Sequence, residues 1–116
     1  MNSLRNSVQL IGNLGKDPEI TKFDNGNKLA KFTLATSDYY KNKDGEKVQE
    51  TQWHNLIAWG KLAENMDQIL SKGSRIVVQG KLVNRSYDDK EGNKRYVTEI
   101  VARNFVNLTK KESMPF

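Results

Sequence analysis

The hydrophobic rhythm of this chain turns helical in one stretch only, between residues 61 and 70. In KLAENMDQIL, Leu62, Met66, Ile69 and Leu70 fall at i, i+4, i+7 and i+8, which is one face of a helix. Gly60 precedes the segment and Gly73 follows it, where a helix stop belongs. Outside it the pattern is that of strands. Ala30, Phe32 and Leu34 alternate with Lys31, Thr33 and Ala35, the period-2 mark of a half-buried strand. A chain with this layout folds as a β-rich domain carrying one helix.

The strand-like segments are SVQLIGNLG (7–15), EITKFDNGNKLAKFTLAT (19–36), TQWHNLIAW (51–59), RIVVQGKLV (75–83) and RYVTEIVARNFVNL (95–108). Asn25-Gly26 sits at the centre of the second as a hairpin-turn signal. The polar stretch DYYKNKDGEKVQE (38–50), with Asp44-Gly45 inside it, reads as a long hairpin loop. NRSYDDKEGNK (84–94) joins the last two strands, with Glu91-Gly92-Asn93 near its tip. Five strands with a helix between the third and fourth match the order of the OB-fold, a five-stranded Greek-key barrel. The expected fold is therefore mainly β, with the barrel domain at 1–108 and a short tail at 109–116.

Composition narrows the function classes. At 116 residues and 13.3 kDa the chain holds one domain, and 36% hydrophobic residues make a lean core that association would help to stabilise. There are no cysteines, so disulfides and thiolate metal sites are excluded. No apolar run approaches the roughly 20 residues of a membrane span, and MNSLRNSVQL lacks a signal-peptide core, so a cytoplasmic location is expected. Nineteen basic against fourteen acidic residues give +5, a charge that favours polyanions.

The only two tryptophans, Trp53 and Trp59, lie in the third strand. Alternation puts Trp53, Asn55, Ile57 and Trp59 on one face, and His54, Leu56 and Ala58 on the other. The second set is small and mostly apolar, as the inside of a narrow barrel requires. The first set mixes indoles with an amide, a poor choice for a sealed core. The indoles are therefore expected on the outer face, either packed under a loop or a neighbouring subunit or free to stack on something flat. Tyr39 and Tyr40 stand beside Lys41 and Lys43, and Tyr87 beside Arg85, with Lys90, Lys94 and Arg95 following. Aromatic rings interleaved with cations are what a groove tracking a single nucleic-acid strand needs, because every base has a π-face and every phosphate a charge.

In VQLIGNLGKDPEI (8–20), FTLATS (32–37), TQWHNLIAWGKLAE (51–64), LSKGSRIVVQGKL (70–82) and RYVTEIVA (95–102), the chain resembles the bacterial single-stranded DNA-binding proteins. The resemblance covers about residues 6–108. It implies a homotetramer of OB-folds with single-stranded DNA wrapped over the outer faces, acting in replication, recombination and repair near the nucleoid. It places the stacking positions on Trp53, Trp59, Tyr40 and Tyr87. Phosphate contacts are carried over to Arg5, Lys61, Lys72, Arg85 and Arg95, and a subunit-interface role to His54. Asn55 departs from the family, where arginine is common. The family's acidic tip ending in Pro-Phe is represented by TKKESMPF, which keeps Pro115 and Phe116 but only one acid, Glu112. Replication and repair proteins that read an acidic tip would then bind weakly.

Two rival readings stand beside this one. A nuclease would need clustered carboxylates around a metal. Asp88, Asp89 and Glu91 form the only dense acidic group, at a hairpin tip where a solvated turn accounts for them. No cofactor or metal is expected, nor any enzymatic activity. The second rival is a primosomal-type module of the same fold that mainly binds replication proteins.

Overall fold

The computed structural model describes residues 4–109. A short 3₁₀ turn, Leu4–Asn6, leads into β1 (Val8–Leu14), β2 (Glu19–Lys22), β3 (Lys28–Lys41), β4 (Lys47–Trp59), α1 (Gly60–Ile69), β5 (Arg75–Asp88) and β6 (Lys94–Asn107). The ladder runs β1-β5-β6-β4-β3-β2, and β1 also pairs with β3 through Asn13–Ala35 and Leu14–Leu34. That second pairing closes five strands into a barrel with no free edge, which leaves β2 as a short flap hairpinned onto β3. The pairing of β4 with β6 is parallel, and the other ladders are antiparallel.

Two segments read from sequence as loops are mostly strand. Residues 38–41 and 47–50 pair in unbroken register from Asp38–Glu50 to Lys41–Lys47. Pairing of β5 with β6 likewise reaches Asp88–Lys94. Both hairpins thus leave the barrel as ladder-bonded arms. Polar sequence misleads here because an arm projecting from the barrel has solvent on both faces and no alternation to betray it. The flexible part shrinks to tips of one design. Asn42 and Asp89 each accept two backbone N–H bonds across the turn through their side chains, all at 2.9 Å. Gly45 and Gly92 supply the positive φ, 79° and 83°.

The core draws Leu14, Phe32, Leu34, Leu56, Ile76, Val78 and Ile100 from the barrel, plugged at one end by Ala63, Met66 and Leu70. Of the expected helix face, Met66 and Leu70 are buried and Leu62 packs against the core, while Ile69 is displaced by Ala63. Ala63 is fully buried and Ile69 is half-exposed, because a small residue at 63 lets the helix axis lie close to the strands. Two glycines make the barrel's tight curvature possible. A Cβ at Gly12 would overlap the Ala35 carbonyl oxygen, and one at Gly80 the Val101 carbonyl oxygen. At Gly80 the register also slips, the β-bulge that bends β5 around the barrel.

Candidate nucleic-acid interface

The β3–β4 ladder sets the face on which the indoles lie. Phe32 pairs with Leu56 and Ala30 with Ala58, all four buried. Their neighbours in the alternation, Thr33–Asn55, Ala35–Trp53 and Leu29–Trp59, must put the β4 side chains outside. Trp53 is 61% exposed and Trp59 48%. Both rings face outward from the barrel.

Each indole has a support that its own strand does not provide. Trp53 lies over the end of β1: a Cβ on Gly15 would stand 2.6 Å from Trp53 Cζ3 and 3.1 Å from Thr33 Oγ1. The missing side chain of Gly15 is thus the seat of the ring. Trp59 stacks on Phe23 from the β2–β3 turn, with ring centroids 5.9 Å apart and planes 24° from parallel. Gly15 and Phe23 escaped the sequence reading. Phe23 carried a signal, an apolar ring directly before the Asp24-Asn25-Gly26 turn. Gly15 carried none beyond its type.

The arms continue this arrangement. In β3, alternation gives Tyr39 the same side of the ladder as Trp53, and Tyr40 the side of His54. Both rings are half-exposed, and Lys47 Nζ sits 4.4 Å from the Tyr39 centroid. On β5, Tyr87 and Arg85 share the outer side, with the Arg85 guanidinium carbon 6.0 Å from the ring centroid of Tyr87. Tyr96 is 75% exposed on the opposite side of that arm.

The expected cations divide into two groups. Arg85 Nε donates to Glu99 Oε1 at 2.8 Å and its NH2 group to Oε2 at 3.3 Å, a two-point grip. Arg95 Nε donates to Asp89 Oδ2 at 2.9 Å. Lys61 is only loosely held, 3.9 Å from Glu64, and its side chain is 83% exposed. Lys72 and Arg5 are exposed, and the Lys72 amide donates to Asp17 at 2.7 Å, tying the β1–β2 loop to the α1–β5 loop. The Arg85 hydrogen bonds hold the Glu99 carboxyl below the usual glutamate range against the opposing effect of burial. The Arg95 contact, aided by the turn amides, does the same for Asp89.

Between these elements runs an open groove of about 310 Å³, lined among others by Lys16, Asp17, Lys31, Thr33, Asn55 and Glu99. Its floor is the centre of the outer face. Glu99 was not singled out from the sequence, although an acid in mid-strand among alternating apolar residues is an anomaly. His54 is half-buried at the barrel rim, its Nε2 3.0 Å from Thr36 Oγ1, beside a cavity of about 230 Å³ that Leu82 and Thr98 help to line. Pro115 and Phe116 lie outside the described residues. Among the described residues, no three metal-binding side chains cluster, and no helix is long and apolar enough to cross a membrane.

A closed five-stranded barrel with aromatic rings on its outer face agrees with the family model that matches residues 5–108, described as the single-strand binding protein family. The chain belongs to the single-strand binding protein family. Its relatives include the Single-stranded DNA-binding protein 1 of Xylella fastidiosa (strain 9a5c), 47% identical over 108 residues that make up 92% of this chain and 79% of that one. The protein of the same name from Chlorobaculum tepidum is 45% identical, over 93% of this chain and 67% of its own length. Among solved structures, the Plasmodium falciparum SSB complex with ssDNA superposes with a TM-score of 0.84 at 30% identity, covering 94% of this chain and 98% of that one. A deletion mutant of the single-stranded DNA binding protein from Thermus aquaticus matches with a TM-score of 0.77 at 28% identity, over 90% of this chain and half of its own. The OB-fold expected from strand order is thereby matched within the single-strand binding protein family.

Proposed function

We propose that this single-strand binding family member holds and protects single-stranded DNA without catalysis and without reading sequence. The observation that carries the reading is the pair of outward indoles, each seated on a support of its own. A protein gains nothing in stability from exposing two large rings on one face. Stacked bases would cover Trp53 and Trp59 first, then Tyr87 and Tyr39 on the same side of the arms, with Tyr40 reached by a strand that wraps round its arm. Exposed cations such as Lys61, Lys72 and Arg5 would release counterions from the phosphates, with Arg95 joining them from the arm. The named relatives, and the solved complex of a similar chain with single-stranded DNA, support the choice of ligand.

The same reading includes homotetramer assembly. Ile11, Leu82, Val106 and Leu108 are each more than 40% exposed, and His54 shares a cavity with Leu82, so apolar surface besides the indoles is available for partner subunits. Light scattering at micromolar concentration tests it: a monomer refutes the assembly. Recruitment of replication or repair proteins through Pro115 and Phe116 is tested by pull-down with and without residues 114–116.

The decisive test of ligand uses the indoles. Oligo-dT should strongly quench tryptophan fluorescence, and a duplex of equal length should not. Affinity should fall with salt at a log–log slope of about −0.7 per phosphate neutralised. No response to either ligand would refute the proposal.

A further inference from the structure

We propose that Glu99 is a positioning residue for this interface: it engages the charge of Arg85 and fixes that guanidinium against Tyr87, so that Arg85 sets a stacking ring and does not neutralise a phosphate. The inference rests on the single-strand reading above and adds a division of labour among its cations.

The β5–β6 register carries the argument. Val83 pairs with Glu99, Arg85 with Val97 and Tyr87 with Arg95, so all six side chains leave the same side of the ladder. Arg85 is the diagonal neighbour of Glu99, close enough to reach across and grip both carboxylate oxygens. It also stands two residues before Tyr87 on the same strand, which puts the guanidinium against the ring. Glu99, Arg85 and Tyr87 thus form a row running from the barrel out along the arm.

Exposure decides which arginine can be released to a phosphate. Glu99 is only 7% exposed, and Arg85 is its one charged hydrogen-bond partner. Pulling Arg85 away would leave a shielded carboxylate unpaired on the floor of a groove that is receiving a polyanion. Asp89 is different: it lies in a solvated turn and keeps two backbone N–H donors if Arg95 leaves. Arg95 is exchangeable and Arg85 is not. The guanidinium therefore stays in place on binding, and Tyr87 meets the incoming base already oriented.

The test is oligo-dT titration of the full chain at several salt concentrations. The variants are Arg85→Met, which keeps the stem and loses the charge, Tyr87→Ala, the double variant, and Glu99→Gln. Arg85→Met is expected to keep the wild-type salt slope while binding several-fold more weakly, and to add nothing to Tyr87→Ala. Glu99→Gln frees a cation and is expected to steepen the slope by about 0.7. A slope flattened by about 0.7 in Arg85→Met, or losses that multiply in the double variant, would overturn the proposal. If Arg85→Met fails to fold, Arg85→Met combined with Glu99→Gln leaves no charge unpaired and carries the same slope test. Wild-type protein that ignores oligo-dT would refute the single-strand reading itself. The pairing is then judged by the Arg85 Nε–H resonance of the free protein: protection from solvent exchange that survives Glu99→Ala, which removes the acceptor, overturns it, and protection that is lost supports it.

Discussion

Replacing Gly15 with alanine should weaken single-strand binding while leaving the barrel intact. The new Cβ would stand 2.6 Å from Trp53 Cζ3 and 3.0 Å from Cη2, where ordinary contact begins at 3.4 Å. The ring edge must therefore retreat by at least 0.8 Å, the difference between 3.4 and 2.6. What gives way is the outer end of an exposed indole, with Thr33 Oγ1 yielding a few tenths of an ångström, so stability should barely change. A stacked base contributes about 1–3 kcal/mol, and holding a ring off its preferred rotamer costs about 0.5–1.5 kcal/mol. Losing part of the first through the second gives about 1 kcal/mol, or about fivefold in Kd. The assay is fluorescence titration with oligo-dT, run in parallel on Trp53→Ala and on Gly15→Ala/Trp53→Ala. Without the indole there is nothing for the methyl group to displace, so the double variant should bind like Trp53→Ala alone. The same fivefold loss in both backgrounds would show that Gly15 acts through the backbone, and the seat argument would fail.

Three further outcomes are expected. Gly80→Ala forces a methyl group into the Val101 carbonyl, where only backbone can yield, and should cost about 3 kcal/mol of stability by overpacking; an unchanged melting temperature would contradict the geometry. In a Trp53→Phe background Trp59 is the only indole, and Phe23→Ala should shift its emission to the red at a cost of about 1 kcal/mol; unaltered emission would mean that the stacked pair does not persist in solution. The third is acid sensitivity. Glu99, Asp89 and Glu64 are all held below their ordinary values, each chiefly by a hydrogen bond from its cation. Their contribution is present above the ordinary value, 4.5 for the glutamates, and is lost as pH falls through the lowered one. Melting temperature should thus be level near neutrality and fall steeply on the acid side, less steeply in Glu99→Gln. An identical acid limb in that variant would remove Glu99 from the account.

Where the sequence could be read, one face of an element was wet and the other dry. Leu56 and Ala58 against Trp53 and Asn55 is such a case, and the indoles could be placed outside the barrel from four residues alone. The reading failed where that contrast vanished. Residues 38–41 and 47–50 are solvated on both sides, so strand and loop look alike in composition, and only the ladder shows an arm. On the helix, Ala63 was missed in favour of Ile69 because alanine carries little hydropathic weight, although its small size is what allows close packing. Contacts between distant segments left the weakest trace. Gly15 seats Trp53, and Phe23 backs Trp59, through tertiary proximity that no spacing encodes. The charge of Arg85 and Arg95 was legible, but not the fact that each already holds a carboxylate.

That last point bears on how such a face would take up a strand at all. Net charge alone, +5 over the chain, would draw a polyanion to the surface in any orientation. The layout is more selective. The groove at the centre of the face is lined by Lys16 and Lys31 against Asp17, Glu19 and Glu99, with the amide of Asn55 among them, and Arg85 balances Glu99, so its charges cancel. Lys61 stands on the helix, Lys72 in the loop after it and Arg95 near the end of an arm, all outside that groove. A phosphate at the centre would meet as many carboxylates as cations. Outside the groove it meets lysines with few competing partners. The favourable pose therefore turns the backbone outward and the bases inward, onto Trp53 and along the row to Tyr87. If that is the source of orientation, Asn55→Arg should raise affinity for a bare polyanion such as inorganic polyphosphate more than for oligo-dT, because the new cation would serve a phosphate at the centre that the strand does not put there. Equal gains for both ligands would mean that the strand's backbone already crosses the centre, and the argument from charge layout would be wrong.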